Sequence, residues 1–292
     1  MSILNEIFSK DWKGLYSTDT QTQAINRLEN GGILFFPKLA FALRPEEKTI
    51  LSPFCAHPRS KNISFNADTE KVHGAADNFL HTTLLKTMLQ RYANSARELI
   101  CTLLPAYANA VEVGRTSFRP AQIAGRATSY RQDDTRLHVD AFPASPIQGR
   151  RILRVFTNIN PEHQPRHWRV GEPFMDVAKK FLPLVKRQKW LVSRLLKLFN
   201  MTKSYRTEYD HIMLQIHDRM KADLEYQSHA PQTHIYFPAN TTWIVQTDHV
   251  SHAAMAGQYV LEQTFYLPVN AMANPELSPL RSLESLTGRR LV

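Results

Sequence analysis

Apolar and polar positions change rhythm several times along this chain. Gly31–Leu43, GGILFFPKLAFAL, is almost continuously apolar and is punctuated by Gly31, Gly32 and Pro37, predicting a buried strand pair or strand-turn. From Asn78 to Val111 apolar residues recur at helical spacing, predicting one or two helices. From Thr116 the texture turns to strands. RILRVFTNIN (Arg151–Asn160) is β-rich and closes on the polar turn NPEHQP, and Thr233–Val269 predicts three strands, broken at Pro238–Asn240 and around Thr247–Gly257. Strands with such turn signals predict a closed or double-sheet β architecture rather than βαβ units. No internal repeat, low-complexity segment or Gly/Ser linker divides the chain, so residues 1–292 are expected to form a single domain.

Residues 173–228 interrupt this β texture with helical patterning and are expected to be a helical insertion in the β core. Pro173–Arg206 carries nine Lys/Arg against the single acid Asp176, with Phe181, Leu184, Val185, Trp190, Leu191, Leu195, Leu198 and Phe199 interleaved. Basic amphipathic helices of this kind suit an acidic membrane interface, where apolar side chains sink in and lysines meet headgroups. A helical layer with a solvated basic face fits equally well.

Charge sharpens the picture. The chain has 36 Lys+Arg and 26 Asp+Glu, a formal net charge of +10, which favours an anionic partner without specifying one. Cys55 and Cys101 are too few for a disulfide framework or a cysteine zinc site. The N-terminal MSILNEIFSKDWKGLYS lacks a basic start followed by an apolar run, and GGILFFPKLAFAL is too short to span a bilayer. A cytoplasmic protein, soluble or peripheral, is expected.

The chemistry concentrates in DDTRLHVDAFPASP (Asp133–Pro146). On an extended strand, residues i and i+2 share a face, so His138 and Asp140 point together and Val139 points away. An imidazole and a carboxylate on one face supply two-thirds of the 2-His-1-carboxylate set that holds non-haem Fe(II) and leaves coordination positions open. A third ligand is expected from a distant histidine near the end of a later strand facing the first. His249 and His252 are the two candidates; His252, opening the final strand ahead of Gly257-Gln258, is favoured over His249 within the turn.

Iron enzymes of this type usually bind 2-oxoglutarate, whose far carboxylate needs a cation. AAMAGQYVLEQTFYLP, after His252, contains no Lys or Arg. Arg154 is therefore the expected anchor, with Asn158, which shares its strand face along with Phe156, as a second cofactor-binding candidate, and Arg151 is the fallback. Arg115, Arg119, Arg126, Arg131 and Arg136, upstream of the proposed metal, would suit an anionic substrate, with Arg119, Arg126, Arg131 and Arg136 the chosen candidates; solvated strand surface or pairing with Asp133 and Asp134 is the plainer alternative.

These residues carry a resemblance. SYRQDDTRLHVDAFPASPIQGRRILRVFTNINP is similar to the 3-hydroxylases of Kdo (3-deoxy-D-manno-octulosonic acid), bacterial Fe(II)- and 2-oxoglutarate-dependent dioxygenases. GGILFFPKLAFAL, KNISFN, TDHVSHAAMAGQYVLEQTFYLPV and SPLRSLESLTGRRLV extend the likeness over nearly the whole chain. The resemblance implies a mainly β, α+β fold built on a double-stranded β-helix (cupin/jelly-roll-like) with flanking helices. It implies iron ligands at His138, Asp140 and His252, and Fe(II), 2-oxoglutarate and O2 as cofactors, with ascorbate as a stimulant. The implied reaction hydroxylates carbon 3 of Kdo in a Kdo-bearing lipid A precursor, with succinate and CO2 as co-products, at the anionic cytoplasmic face of the inner membrane. No nucleic-acid partner is expected. Two rivals stand beside this reading: an oxygenase acting on a nucleic acid or protein, and a non-catalytic cupin-like sugar- or lipid-binding protein.

Overall fold

The computed structural model describes residues 3–76, 81–125, 128–186 and 204–292. Two sheets organise the described residues. The larger has β1 (Leu4–Glu6), β2 (Ile33–Phe36), β9 (Thr241–Gln246), β6 (Arg151–Asn158), β11 (Val260–Leu267), β5 (Glu112–Arg119), β3 (Ile63–Asn66) and β4 (Lys71–His73) in that spatial order. The smaller has β10 (His252–Ala256), β7 (Arg166–Val170) and β8 (Thr233–Phe237). β1 runs parallel to β2, and the other pairings are antiparallel.

The sheets meet over an aromatic core. Phe237 stacks on Trp243 (centroids 4.1 Å apart), Trp243 on Phe156 (5.2 Å), and Trp168 packs edge-on against Trp243. Burying side chains of this size stabilises by roughly 1.5–3 kcal/mol each. The alternation of β6 explains its complete burial: Phe156 enters this core, while Leu153 and Val155 enter another on the opposite side.

Helices cover the outer face of the large sheet. α1 (Thr18–Glu29) is capped by Ser17, whose side chain accepts from the Thr20 N–H. α2 (Thr82–Leu103) realises the helical spacing seen in the sequence; Leu85, Met88, Leu89 and Tyr92 pack on Ile63, Phe65, Phe118 and Leu261. It stops just before Pro105, which opens a single 3-10 turn.

Between β7 and β8 the described residues form α3 (Phe174–Phe181), α4 (Glu208–Ala222) and α5 (Leu224–His229); α6 (Pro279–Thr287) follows β11. The interfacial expectation needs correcting for α3. Its apolar residues Phe174, Val177, Ala178 and Phe181 are buried in the core, leaving Lys179 and Lys180 outside, as the solvated-face alternative requires. Leu184 is exposed. Arg187, Lys189, Trp190, Leu191, Arg194, Leu195, Lys197, Leu198, Phe199 and Lys203 lie outside the described residues.

The strand expectations divide. Gly31–Leu43 holds one buried strand, β2, followed by a turn at Pro37–Lys38, the strand-turn alternative. Thr233–Val269 holds four strands, not three, and His252 opens β10 in the small sheet rather than the final strand. The extra break falls at Gly257–Tyr259, where Gly257 (φ +104°) and Tyr259 (φ +58°) turn the chain from one sheet to the other. A Cβ on Gly257 would also sit 3.0 Å from the Pro165 carbonyl, so only glycine fits this corner.

Candidate metal centre

The segment Leu137–Asp140 is extended and lies against Thr247–His252. His138 and His252 form a β-bridge: the His138 N–H donates to the His252 carbonyl (3.0 Å) and the His252 N–H returns a bond to the His138 carbonyl (2.9 Å). The Asp140 N–H donates to Thr247 O (2.8 Å). Leu137 and Val139 point into the core, so His138 and Asp140 share the opposite side. α5 fixes this register from outside. The Gln227 amide accepts from the Leu137 N–H (2.7 Å) and donates to the Leu137 carbonyl (3.0 Å), acting as a strand partner.

His138, Asp140 and His252 are all buried, and one potential ligand atom from each lies within 4.8 Å of the others. The two histidines are oriented by the same device. Nδ1 of His138 is 2.8 Å from Arg136 O, and Nδ1 of His252 is 2.8 Å from Val250 O. Those carbonyls fix the proton on Nδ1 and leave Nε2 as the free electron pair, as metal-binding imidazoles require. His252 also stacks on Trp168 (5.1 Å).

Electrostatics favour the ligating protonation states. Burial, with nearby cations, pushes His138 down to about 3. Burial lowers His252 too, against the pull of Asp140. For Asp140 burial works upward, but the charge of Arg154 outweighs it and holds the carboxyl well below the usual range. The site therefore offers two neutral imidazoles and one carboxylate, and this donor set fits a divalent iron ion. His249 stands apart, edge-on to Phe174 and beside Gly31.

The cluster opens into a cavity of 590 Å³. A ladder of opposite charges crosses it. Arg154 Nη2 is 3.2 Å from Asp140 Oδ2, Arg154 Nη1 is 3.4 Å from Glu262, and Arg119 grips Glu262 through Nε (2.9 Å) and Nη2 (2.6 Å). Asp134 continues the ladder, 3.9 Å from Arg119 and 3.0 Å from Lys61. Arg119 and Arg154 thus reach the site with their charges balanced.

Arg166 differs. It is buried in the cavity wall, its Nη1 donates to Gly257 O (2.8 Å), its Nε has no hydrogen-bond partner, and it has no ion pair among the described residues. Burial, with the like charge of Arg119, brings it down to about 9. A buried guanidinium that faces a cavity, with Asp134 and Glu262 near but neither paired with it, is suited to an anionic ligand.

The remaining expected residues divide. Arg131 lines the cavity and pairs with Asp218 (2.9 Å). Arg136 is held by Asp133 (3.1 Å) and by the Lys221 carbonyl (2.6 Å), the plainer alternative. Asn158 is not brought to the cavity; its amide donates to Gln164 O and Phe237 O at a strand end. Arg151 forms a fully buried pair with Asp248 (2.7 Å) away from the cluster. Arg126 lies outside the described residues. Sequence reasoning missed Arg166, Trp168 and Gln227. The i, i+2 alternation of RHW was a signal for Arg166 and Trp168, whereas nothing local marks Gln227.

No curated protein sequence matches the chain. Among solved structures it is similar to the Kdo hydroxylase KdoO, a non-haem Fe(II) α-ketoglutarate-dependent dioxygenase. The complex with α-ketoglutarate and Fe(III) is 46% identical over 99% of this chain and 97% of that chain, with a TM-score of 0.95. The cobalt(II) complex is 46% identical over 100% and 98%, with a TM-score of 0.96. The profile of the 3-deoxy-D-manno-oct-2-ulosonic acid (Kdo) hydroxylases matches residues 11–290. With that match covering nearly its whole length, the chain belongs to the Kdo hydroxylase family.

Proposed function

We propose that this chain is an Fe(II)- and 2-oxoglutarate-dependent Kdo hydroxylase whose iron is held by His138, Asp140 and His252. The observation that carries the assignment is the convergence of these three buried donors, correctly protonated, on the wall of one cationic cavity. Iron with 2-oxoglutarate and O2 supplies the oxidising chemistry that hydroxylates an unactivated carbon, giving succinate and CO2. The protein's part is geometric. The two carbonyls aim the imidazoles, Arg154 steadies Asp140, and Trp168 flanks His252.

The sequence placed the 2-oxoglutarate anchor at Arg154. The two carboxylates already facing Arg154 favour Arg166 for the far carboxylate. Arg119, expected at the substrate, is held by Glu262, and Arg131, Lys61 and Lys221 then present cations to the acidic sugar. The paired sheets and the His138–His252 bridge support a double-stranded β-helix core, and we treat residues 1–292 as one oxygenase domain with 173–228 inserted. The reacting position is carbon 3 of Kdo, presented on a lipid A precursor. The charge of +10 supports work at an anionic membrane surface, on its cytoplasmic side; no helix among the described residues is long and apolar enough to cross a membrane.

The test is aerobic incubation of Kdo-bearing lipid A precursor with the protein, Fe(II), 2-oxoglutarate and ascorbate, followed by fragmentation mass spectrometry. One added oxygen on a Kdo unit is expected, dependent on 2-oxoglutarate and absent with His138→Ala. Succinate formed over unchanged lipid would move the substrate to another molecule, a nucleic acid or protein included. Neither product, with no iron bound, would leave a binding protein.

A further inference from the structure

A second cavity, of 660 Å³, adjoins the first and shares Asn62, Arg119, Phe142, Pro143 and Arg154 with it. Its floor is one face of the large sheet. Ser64 pairs with Ser117 across β3–β5, Ser117 pairs with Glu262 across β5–β11, and Thr264 pairs with Arg154 across β11–β6. Strand alternation separates the two faces sharply. On the far side, Ile63, Phe65, Phe118 and Leu261 are sealed beneath α2; on the cavity side, the same strands present hydroxyls. Ser64, Ser117 and Thr264 are all buried. Thr264 Oγ1 donates to Glu262 (3.3 Å), and a sheet face of hydroxyls lining a concavity suits the hydroxyls of a sugar.

Two arginines stand over this floor. Arg115 is exposed and makes no ion pair among the described residues. Arg150 pairs with Glu112 and lies over the Tyr266 ring (5.1 Å). Asp68 and Glu262 are the acids of the lining, and Glu262 is already held by Arg119 and Arg154.

We propose that this groove binds a second, anionic saccharide unit covalently linked to the sugar acid at the metal, its hydroxyls on the serine-threonine floor and its anionic group on Arg115. The inference rests on the Kdo hydroxylase reading and extends it from one sugar to its neighbour. The anionic group is a carboxylate or a phosphate, which share this chemistry.

The test is calorimetric titration of the Co(II)-loaded protein with three probes: Kdo methyl glycoside, a Kdo disaccharide, and Kdo joined to a glucosamine phosphate. At least one extended probe should bind tenfold or more tightly than the glycoside. Arg115→Gln should remove most of that gain while leaving glycoside affinity unchanged. A gain confined to the disaccharide identifies a carboxylate, and one confined to the conjugate a phosphate. Equal binding of all three probes, or a gain untouched by Arg115→Gln, overturns the groove and leaves the Kdo assignment standing. Failure of every probe to bind overturns both.

Discussion

His138 and His252 each direct Nδ1 at the carbonyl two residues earlier, a local device that the backbone supplies as soon as the chain is extended. His-X-Asp was legible for the same reason: its geometry depends only on strand alternation. The anchoring cation was not. Arg154 and Arg166 look alike in sequence, and their difference lies in neighbours from other strands: two carboxylates for Arg154, a backbone carbonyl for Arg166. A charge-assisted hydrogen bond contributes about 1.5–3 kcal/mol. Arg166→Met should therefore weaken 2-oxoglutarate binding to the anaerobic Fe(II) protein by roughly tenfold to a hundredfold, read by titration. Wild-type affinity in that variant would return the anchor to Arg154.

Among the elements, the short helix α5 has the largest influence for its size. Asp223 caps it by accepting from the Tyr226 N–H, which places Gln227 against Leu137. Gln227→Ala would leave buried backbone groups of the ligand segment without partners, a cost of about 1–3 kcal/mol. Co(II) affinity, followed by its visible absorption, should fall roughly tenfold or more, because groups behind metal ligands act on affinity at that scale. An unchanged affinity would remove α5 from the account of the site. α4 performs a related task. Asp210 closes its capping box with Thr207 and also accepts from the Ile147 and Gln148 N–H groups, tying the loop after Asp140 to the helix. The separation of β10 from β11 was hidden because AMAGQYVLEQ reads as one apolar-alternating run; the left-handed turn at Gly257 divides it.

At the scale of the whole molecule, the proposed metal ligands belong to segments that meet only in the folded state. A metal bound there stabilises the fold by mass action, about 2.7 kcal/mol when its free concentration is a hundred times Kd. Co(II) should therefore raise the thermal midpoint of the purified protein, and Asp140→Ala should abolish the increase. An equal increase in that variant would place the metal elsewhere. The positive charge acts at this scale too, since the cavity's cations lie within a molecule already attractive to anionic surfaces.

Some of this was determined by the sequence alone. Apolar periodicity set a β core with covering helices, and the convergence of His138, Asp140 and His252 was foreseeable because spacing and strand position leave local marks. The tertiary structure decided which arginine keeps an unbalanced charge, which sheet His252 joins, and that the apolar face of α3 turns inward. Those outcomes depend on register and pairing between distant strands and helices. A one-residue slip would turn a strand's side chains to the other face, and no short stretch of sequence encodes that choice.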